Sequence, residues 1–335
     1  MTKEGKYTQL FRDFDRLKIL IIGDVMIDSY LWGKVDRISP EAPIPIVALK
    51  RRENRMGGAA NVALNVKALG SEPILCSVIG YDDKGSQFLE LLANESIRQD
   101  GIIRSTERVT TTKFRIFGNQ HQMLRVDEEV DHSLSLTDQQ ELISKIGELI
   151  EKERIQCIIF QDYDKGVISD GVIKKVVAMA QSHKIAVTVD PKQRNFNAFN
   201  GVTLFKPNLK ELIEGLKLEI QPNDQNGIIE AAQSLRKTLQ CDYVMTTLSE
   251  KGVMVSLADP ITEKNIFVPA HTRSVADVSG AGDTVISVAS ACLAAGCSPY
   301  EIAFISNLAG GLVCEEVGVV PVNKEKLLKE VLTLL

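Results

Sequence analysis

The chain has 335 residues, 44% hydrophobic and 25% charged, which suits one large α/β domain or a domain with a small appendage. Its 39 basic against 44 acidic residues give a formal charge of -5 without a basic tail, which argues against a nucleic-acid partner. The 6 cysteines form no Cys-x-x-Cys pair, the first 16 residues lack an apolar signal core, and no long apolar span follows, so a cytoplasmic protein without membrane contact is expected.

In chain order, residues 18–24 read as a buried strand ending in a turn, the place where open α/β sheets put ligands. Asp24 follows that strand and Asp28 falls in the next loop; either carboxylate could accept sugar hydroxyls or cap a turn. Residues 44–50 read as a strand without a crossover helix. Gly57-Gly58-Ala59-Ala60-Asn61 then opens an apolar-periodic helix, its glycines leaving room for a hydroxylated ligand and Asn61 able to donate and accept. A further apolar run covers 74–79, and helical periodicity covers 83–95. Residues 109–117 and 123–127 read as a hairpin that joins 44–50 in a small sheet, either a lid over a sugar site or an extension of the main sheet. The lid strands are expected within 35–55 and 108–128. Alternation sets Lys113 and Arg115 on one face; with Arg125 and Lys165 they could bind a phosphate already on the substrate, or form a solvated charged face.

Helical periodicity returns at 137–152 and 171–182, and apolar runs at 157–161, 186–190, 203–205 and 243–247. This alternation belongs to a multi-unit βα protein, not to a bundle or an all-β fold. Lys192 in Asp190-Pro191-Lys192 is a cation suited to a transferring phosphoryl group. Asn208-Leu209-Lys210-Glu211 puts Asn208 and Glu211 on one helical turn, an N-cap pattern that beside a nucleotide could hold water around Mg²⁺. The 4 histidines lack any close ligand spacing, so no zinc site is expected, and His271 could flank a nucleotide or lie on the surface.

The most informative stretch is Asp277-Val278-Ser279-Gly280-Ala281-Gly282-Asp283-Thr284, followed by an apolar, small-residue helix over 285–295. Two glycines before a helix N-terminus can cradle an anion with backbone N–H groups, and Asp283 is either a general base of ordinary carboxylate pKa or a cap. The run lacks the third glycine of G-x-G-x-x-G and the Lys-Ser/Thr of a P-loop, so hydride transfer and P-loop chemistry lose ground.

Together these motifs resemble the ribokinase-like (PfkB) carbohydrate kinases over nearly the whole chain, through 277–284 and 57–61. Gly23-Asp24-Val25-Met26-Ile27-Asp28, Arg37-Ile38-Ser39-Pro40-Glu41-Ala42-Pro43, Asp162-Tyr163-x-Lys165-Gly166 and Asp190-Pro191-Lys192 are similar to the branch that acts on D-glycero-β-D-manno-heptose 7-phosphate. The resemblance implies one ribokinase-like three-layer α/β/α domain with a mostly parallel sheet and a small β lid that serves as a homodimer contact. It assigns Asp283 as base and the N–H groups of Gly280, Ala281 and Gly282 as anion hole, with Asp24, Asp28, Gly57, Gly58, Asn61 and Asp162 on the sugar side. Thr247, Ser249, Gly252 and Asn307 fall on the nucleotide side, and Asn208 with Glu211 match an Asn-x-x-Glu magnesium motif. The implied activity uses ATP, Mg²⁺ and a monovalent cation such as K⁺ to phosphorylate the C1 hydroxyl of heptose 7-phosphate, with fructose 6-phosphate as the alternative substrate. No His-x-x-His signature of a nucleotidyltransferase is found, so a separate enzyme is expected to act on the product. A non-catalytic sensor could dispense with Asp283 or the glycine cradle, yet both are present. Ser279 replaces the usual Thr and keeps its hydroxyl, whereas Asn119-Gln120-His121-Gln122 departs from the usual lid turn.

Overall fold

The computed structural model describes residues 2–221, 223–258, 265–271 and 273–335. Its strands are β1 (Lys18–Gly23), β2 (Val25–Ile38), β3 (Pro45–Gly58), β4 (Glu72–Gly80), β5 (Ile102–Ser105), β6 (Thr112–Gly118), β7 (His121–Glu128), β8 (Cys157–Gln161), β9 (Ala186–Asp190), β10 (Leu204–Phe205), β11 (Tyr243–Thr247), β12 (Val253–Leu257) and β13 (Asn265–Val268). The helices are α1 (Lys3–Asp13), α2 (Ala59–Ala68), α3 (Asp83–Asn94), α4 (Leu136–Lys152), α5 (Asp170–Ser182), α6 (Leu209–Leu216), α7 (Gln225–Leu239), α8 (Ala281–Ala294), α9 (Pro299–Val313) and α10 (Lys324–Leu334).

Side chains of β1 alternate between two apolar cores: Ile19 and Ile21 enter one, Leu20 and Ile22 the other. A strand covered on both faces needs apolar residues at consecutive positions, which is why such segments read as unbroken runs. The first core is closed by Val62 of α2, Ala289 of α8, Ile305 of α9 and Leu327 of α10. Leu142 of α4, Val176 of α5 and Leu235 of α7 close the second. The sheet runs β13-β12-β11-β10-β9-β8-β1-β4-β5, parallel from β11 to β5, with β12 and β13 antiparallel at one edge. The result is the expected three-layer α/β/α sandwich. No helix among the described residues is long and apolar enough to cross a membrane.

A second sheet, ordered β3-β2-β6-β7, stands apart from the sandwich. One expectation changes here. Residues 25–28 do not form a loop: β2 starts directly after Asp24 and carries Asp28. Val25 to Trp32 is rich in β-branched and aromatic residues, and β2 is paired on both edges, antiparallel to β3 and parallel to β6. That pairing places Arg55 and Lys113 beside Asp28, and Arg115 beside Tyr30.

Candidate active site

The chain reverses its direction across the sheet at β1, whose neighbours are β4 on one side and β8 on the other. Ligands in open α/β sheets bind at the carboxyl ends of strands near such a point. Here the strand ends deliver Gln161, Asp190 and Thr247, with Lys206 just beyond β10, to one cleft of about 880 Å³. The first turn of α8 closes the cleft with Gly280, Ala281, Gly282 and Asp283.

Asp283 is 6% exposed and stands at the third position of α8. Its Oδ2 accepts the Asn61 amide at 2.7 Å, while Oδ1 accepts the Tyr163 hydroxyl at 2.8 Å and the Gln161 amide at 3.2 Å. Burial first, then the Asp190 carboxylate, push the Asp283 carboxyl up to about 6, against the pull of the Asn61 and Tyr163 bonds and of the Lys206 ammonium. This exceeds the ordinary value expected from sequence. The reason is tertiary: a first-turn carboxylate is exposed in an isolated helix, but here the sheet and α2 bury it. Gly280 caps α8 at φ 81°, where a Cβ would come within 3.1 Å of Val319 and 3.2 Å of the Asn61 amide. First-turn N–H groups have no acceptor inside their own helix, so this end of α8 suits an anion. Ala281 is the weakest of the expected donors, because its N–H turns back to the Val278 carbonyl at 3.3 Å.

Along the cleft from Asp283 lie Lys192, Asn208, Glu211, Thr247, Ser249, Gly252, His271 and Asn307. Asn208 and Glu211 form a reciprocal capping box at α6, each side chain accepting the other's backbone N–H at 2.8 Å. Glu211 also takes the Lys192 ammonium. The cap and the cleft wall are therefore the same residues. The His271 ring meets Phe304 edge-on at 5.9 Å, and Asn307 donates to the Pro269 carbonyl at 2.9 Å, fixing the far wall.

On the other side of Asp283, α2 presents Asn61 and the second sheet presents Asp28. Gly57 makes that approach possible, since a Cβ there would fall 2.5 Å from Asp28 Oδ2 and 2.9 Å from Met26 Cγ. Gly58, at φ 63°, turns the chain from β3 into α2. Arg115 is bound to Asp28 Oδ1, and its guanidinium lies over the Tyr30 ring at 5.3 Å. Lys165 meets Glu129 at 2.6 Å with Lys113 3.9 Å from the same carboxylate, and Arg125 grips Asp127 with two bonds of 2.8 and 2.7 Å. Arg115 and Arg125 stand directly opposite each other across β6 and β7.

Two expected sugar contacts turn elsewhere. Asp24 is 1% exposed, and its oxygens accept the backbone N–H groups of Tyr163, Lys165 and Val167 at 2.9, 3.1 and 3.0 Å. Asp162 accepts the N–H of Asp164 at 2.8 Å and the Asn195 amide at 3.0 Å; burial, with Asp24 nearby, pushes its carboxyl up to about 7. Both carboxylates brace the 162–167 loop from beneath. That is the demand of a buried loop whose N–H groups must find acceptors.

The sequence profile of the pfkB family carbohydrate kinases matches residues 16–326. The chain belongs to that family. The bifunctional protein HldE of Methylobacillus flagellatus is 39% identical over 316 residues, which cover 94% of this chain and 63% of that protein. HldE of Koribacter versatilis is 38% identical over 310 residues, 92% of this chain and 62% of its own length. This pfkB-family chain thus spans less than two thirds of the relatives it matches. Escherichia coli phosphofructokinase-2 in complex with fructose-6-phosphate superposes with a TM-score of 0.74 at 18% identity, over 94% of this chain and 99% of that one. Arabidopsis thaliana ribokinase complexed with ribose and ATP gives 0.70 at 18%, over 93% and 98%. The fold is ribokinase-like.

Four residues of this pfkB-family site carry no role in the sequence motifs: Gln161, Tyr163, Asp190 and Lys206. Lys206 is 2% exposed and pairs with Asp190 at 3.0 Å, and Gln161 bridges Asp190 and Asp283 with two 3.2 Å bonds. Each ends or follows a buried strand, so a polar residue closing an apolar run at a strand's carboxyl end was the available signal.

Proposed function

We propose that this chain transfers the γ-phosphate of ATP to the anomeric C1 hydroxyl of D-glycero-β-D-manno-heptose 7-phosphate, yielding the 1,7-bisphosphate. The observation that carries the kinase reading is a buried carboxylate, Asp283, set one residue from Gly282 at an open helix N-terminus. The sugar O–H bond breaks as its proton passes to Asp283, and the oxygen's electron pair forms the bond to γ-phosphorus. The bond from γ-phosphorus to the bridging oxygen breaks, and ADP leaves with that pair. The Gly280 to Gly282 turn and the Lys206 and Lys192 ammonium groups face the cleft where charge develops.

Magnesium suits the nucleotide side in a water-mediated way. Asn208 and Glu211 already spend lone pairs on the α6 cap and Lys192, and no cluster of three metal-ligating side chains is found among the described residues. That donor set fits an ion held mainly by phosphates and water, with Asn208 and Glu211 holding its waters. A bound Mg²⁺ would supply positive charge to offset the phosphate charge there. A monovalent cation such as K⁺ supporting the anion-hole loop belongs to the same reading.

The heptose-kinase motifs and the cations of the second sheet together support the sugar-phosphate reading. Arg115 and Arg125 stand directly opposite each other, held in place by Asp28 and Asp127, so two oriented guanidinium groups are available to one substrate phosphate. Comparing kcat/KM for heptose 7-phosphate, unphosphorylated heptose and fructose 6-phosphate tests this. Heptose 7-phosphate should lead the unphosphorylated sugar by about tenfold or more, because the free sugar lacks the charge-assisted contact between its phosphate and the guanidinium groups. Equal use of free heptose removes the phosphate subsite, and preference for fructose 6-phosphate moves the chain to another branch. The lid is also proposed as a homodimer contact, and conversion of the product to ADP-heptose is left to a nucleotidyltransferase activity.

A further inference from the structure

An ionised carboxylate offers about four acceptor positions. In Asp283 the fold fills three: two on Oδ1 by Tyr163 and Gln161, and one on Oδ2 by Asn61. Among the described residues nothing fills the remaining position, on Oδ2. From this we infer that Tyr163 is a positioning residue: its hydroxyl locks Oδ1, so Oδ2 is the oxygen that takes the sugar proton. The inference rests on Asp283 being the base of the proposed transfer.

Tyr163 makes the shorter of the two bonds to Oδ1, and its ring is held as well. The Lys192 ammonium lies 5.8 Å from the ring centroid and is itself bound to Glu211. The loop carrying Tyr163 is anchored below by its own N–H on Asp24 at 2.9 Å. Charged and titratable groups facing Asp283 are Tyr163 from this loop, Asp190 at the end of β9, Lys192 two residues beyond it and Lys206 after β10. Facing the Tyr163 hydroxyl are Asp283, Asp190 and Asp28; burial first, then Asp283, hold the phenol far above its usual range, so it remains a donor. Its bond stabilises the ionised base. Without it the carboxyl must titrate higher.

The test uses the full chain with Mg²⁺, ATP and the best sugar phosphate, reading kcat/KM from about pH 5 to about pH 8 for wild type, Tyr163→Phe and Asp283→Asn. Tyr163→Phe keeps the ring and should move the acid limb to higher pH. Its deficit should be about tenfold per unit of displacement on that limb, and should shrink towards wild type at the alkaline end. KM for ATP should stay unchanged. An acid limb that overlays wild type overturns the inference, including when kcat falls by a uniform factor. Should the Phe variant fail to fold, 3-fluorotyrosine placed at 163 retains the ring and strengthens the donor, and the limb must then move to lower pH. Wild-type turnover in Asp283→Asn removes the base itself; loss of turnover there with an unmoved limb in Tyr163→Phe removes only the role of Tyr163.

Discussion

Two influences oppose each other at Asp283. The start of α8 and the donors Asn61 and Tyr163 favour the carboxylate, whereas burial and Asp190 favour the acid, and the acid side wins to leave the group at about 6. As the proposed base, Asp283 works only when ionised. So kcat/KM should fall about tenfold per pH unit below that value and level off above it. A profile flat down to about pH 4.5 contradicts the assignment. Asp283→Asn should lower kcat by about 10²-fold or more with ATP binding retained, measured by steady-state turnover and nucleotide titration. Lys206 makes a different prediction, because its ammonium neutralises the buried Asp190 at 3.0 Å. Lys206→Met removes the ammonium in direct contact with that buried carboxylate, leaving only the more distant Lys192, and denaturant unfolding should show a loss of about 3 kcal/mol. Asp283 was visible in the sequence through its glycines, but its raised pKa was not, since desolvation exists only once α2 and the sheet enclose it.

At the level of elements, the β3–α2 junction and the α6 cap each combine a structural duty with a place in the site. Gly57 lets Asp28 approach, and a methyl group there would displace that carboxylate. Gly57→Ala should therefore raise the sugar KM about tenfold, in line with an overpacking penalty of about 1–3 kcal/mol, while the ATP KM holds. Equal changes in both constants would point to general loosening of α2. Glu211→Gln keeps an acceptor for the cap but removes the charge facing Lys192. Its Mg²⁺ titration should shift to higher concentration with the sugar KM unchanged; curves that overlay wild type leave Glu211 as a cap alone. The central strands were legible because burial on both faces demands unbroken apolar runs, as in residues 157–161 and 186–190. The start of β2 was not. Its first residues continue the apolar character of β1 across Asp24, and only pairing with β3 and β6 separates a lid strand from a loop.

Across the whole molecule, the lid has two unlike faces. Asp28, Tyr30, Arg115 and Arg125 share the face that carries the proposed sugar-side residues, and register places Leu49, Ile116, Leu124 and Val126 on the reverse. Leu124 is 55% exposed, Leu49 48% and Val126 45%, while β7 is an edge strand of its sheet. An apolar patch on a four-stranded sheet with an open edge is an association surface or an aggregation hazard. A second copy of the same face would cover it and hold the lid over the cleft, excluding water from phosphoryl transfer. Sedimentation of the wild type should give a dimer, and Leu124→Glu together with Val126→Glu should give a monomer, because two carboxylates cannot be desolvated against an apolar partner. The monomer should keep the fold, with a circular dichroism spectrum like that of wild type, since neither side chain belongs to either core. Its turnover should fall while nucleotide binding persists, because the lid and not the nucleotide wall loses support. A wild type that sediments as a monomer at assay concentration sinks the lid contact and leaves the reverse face needing another cover.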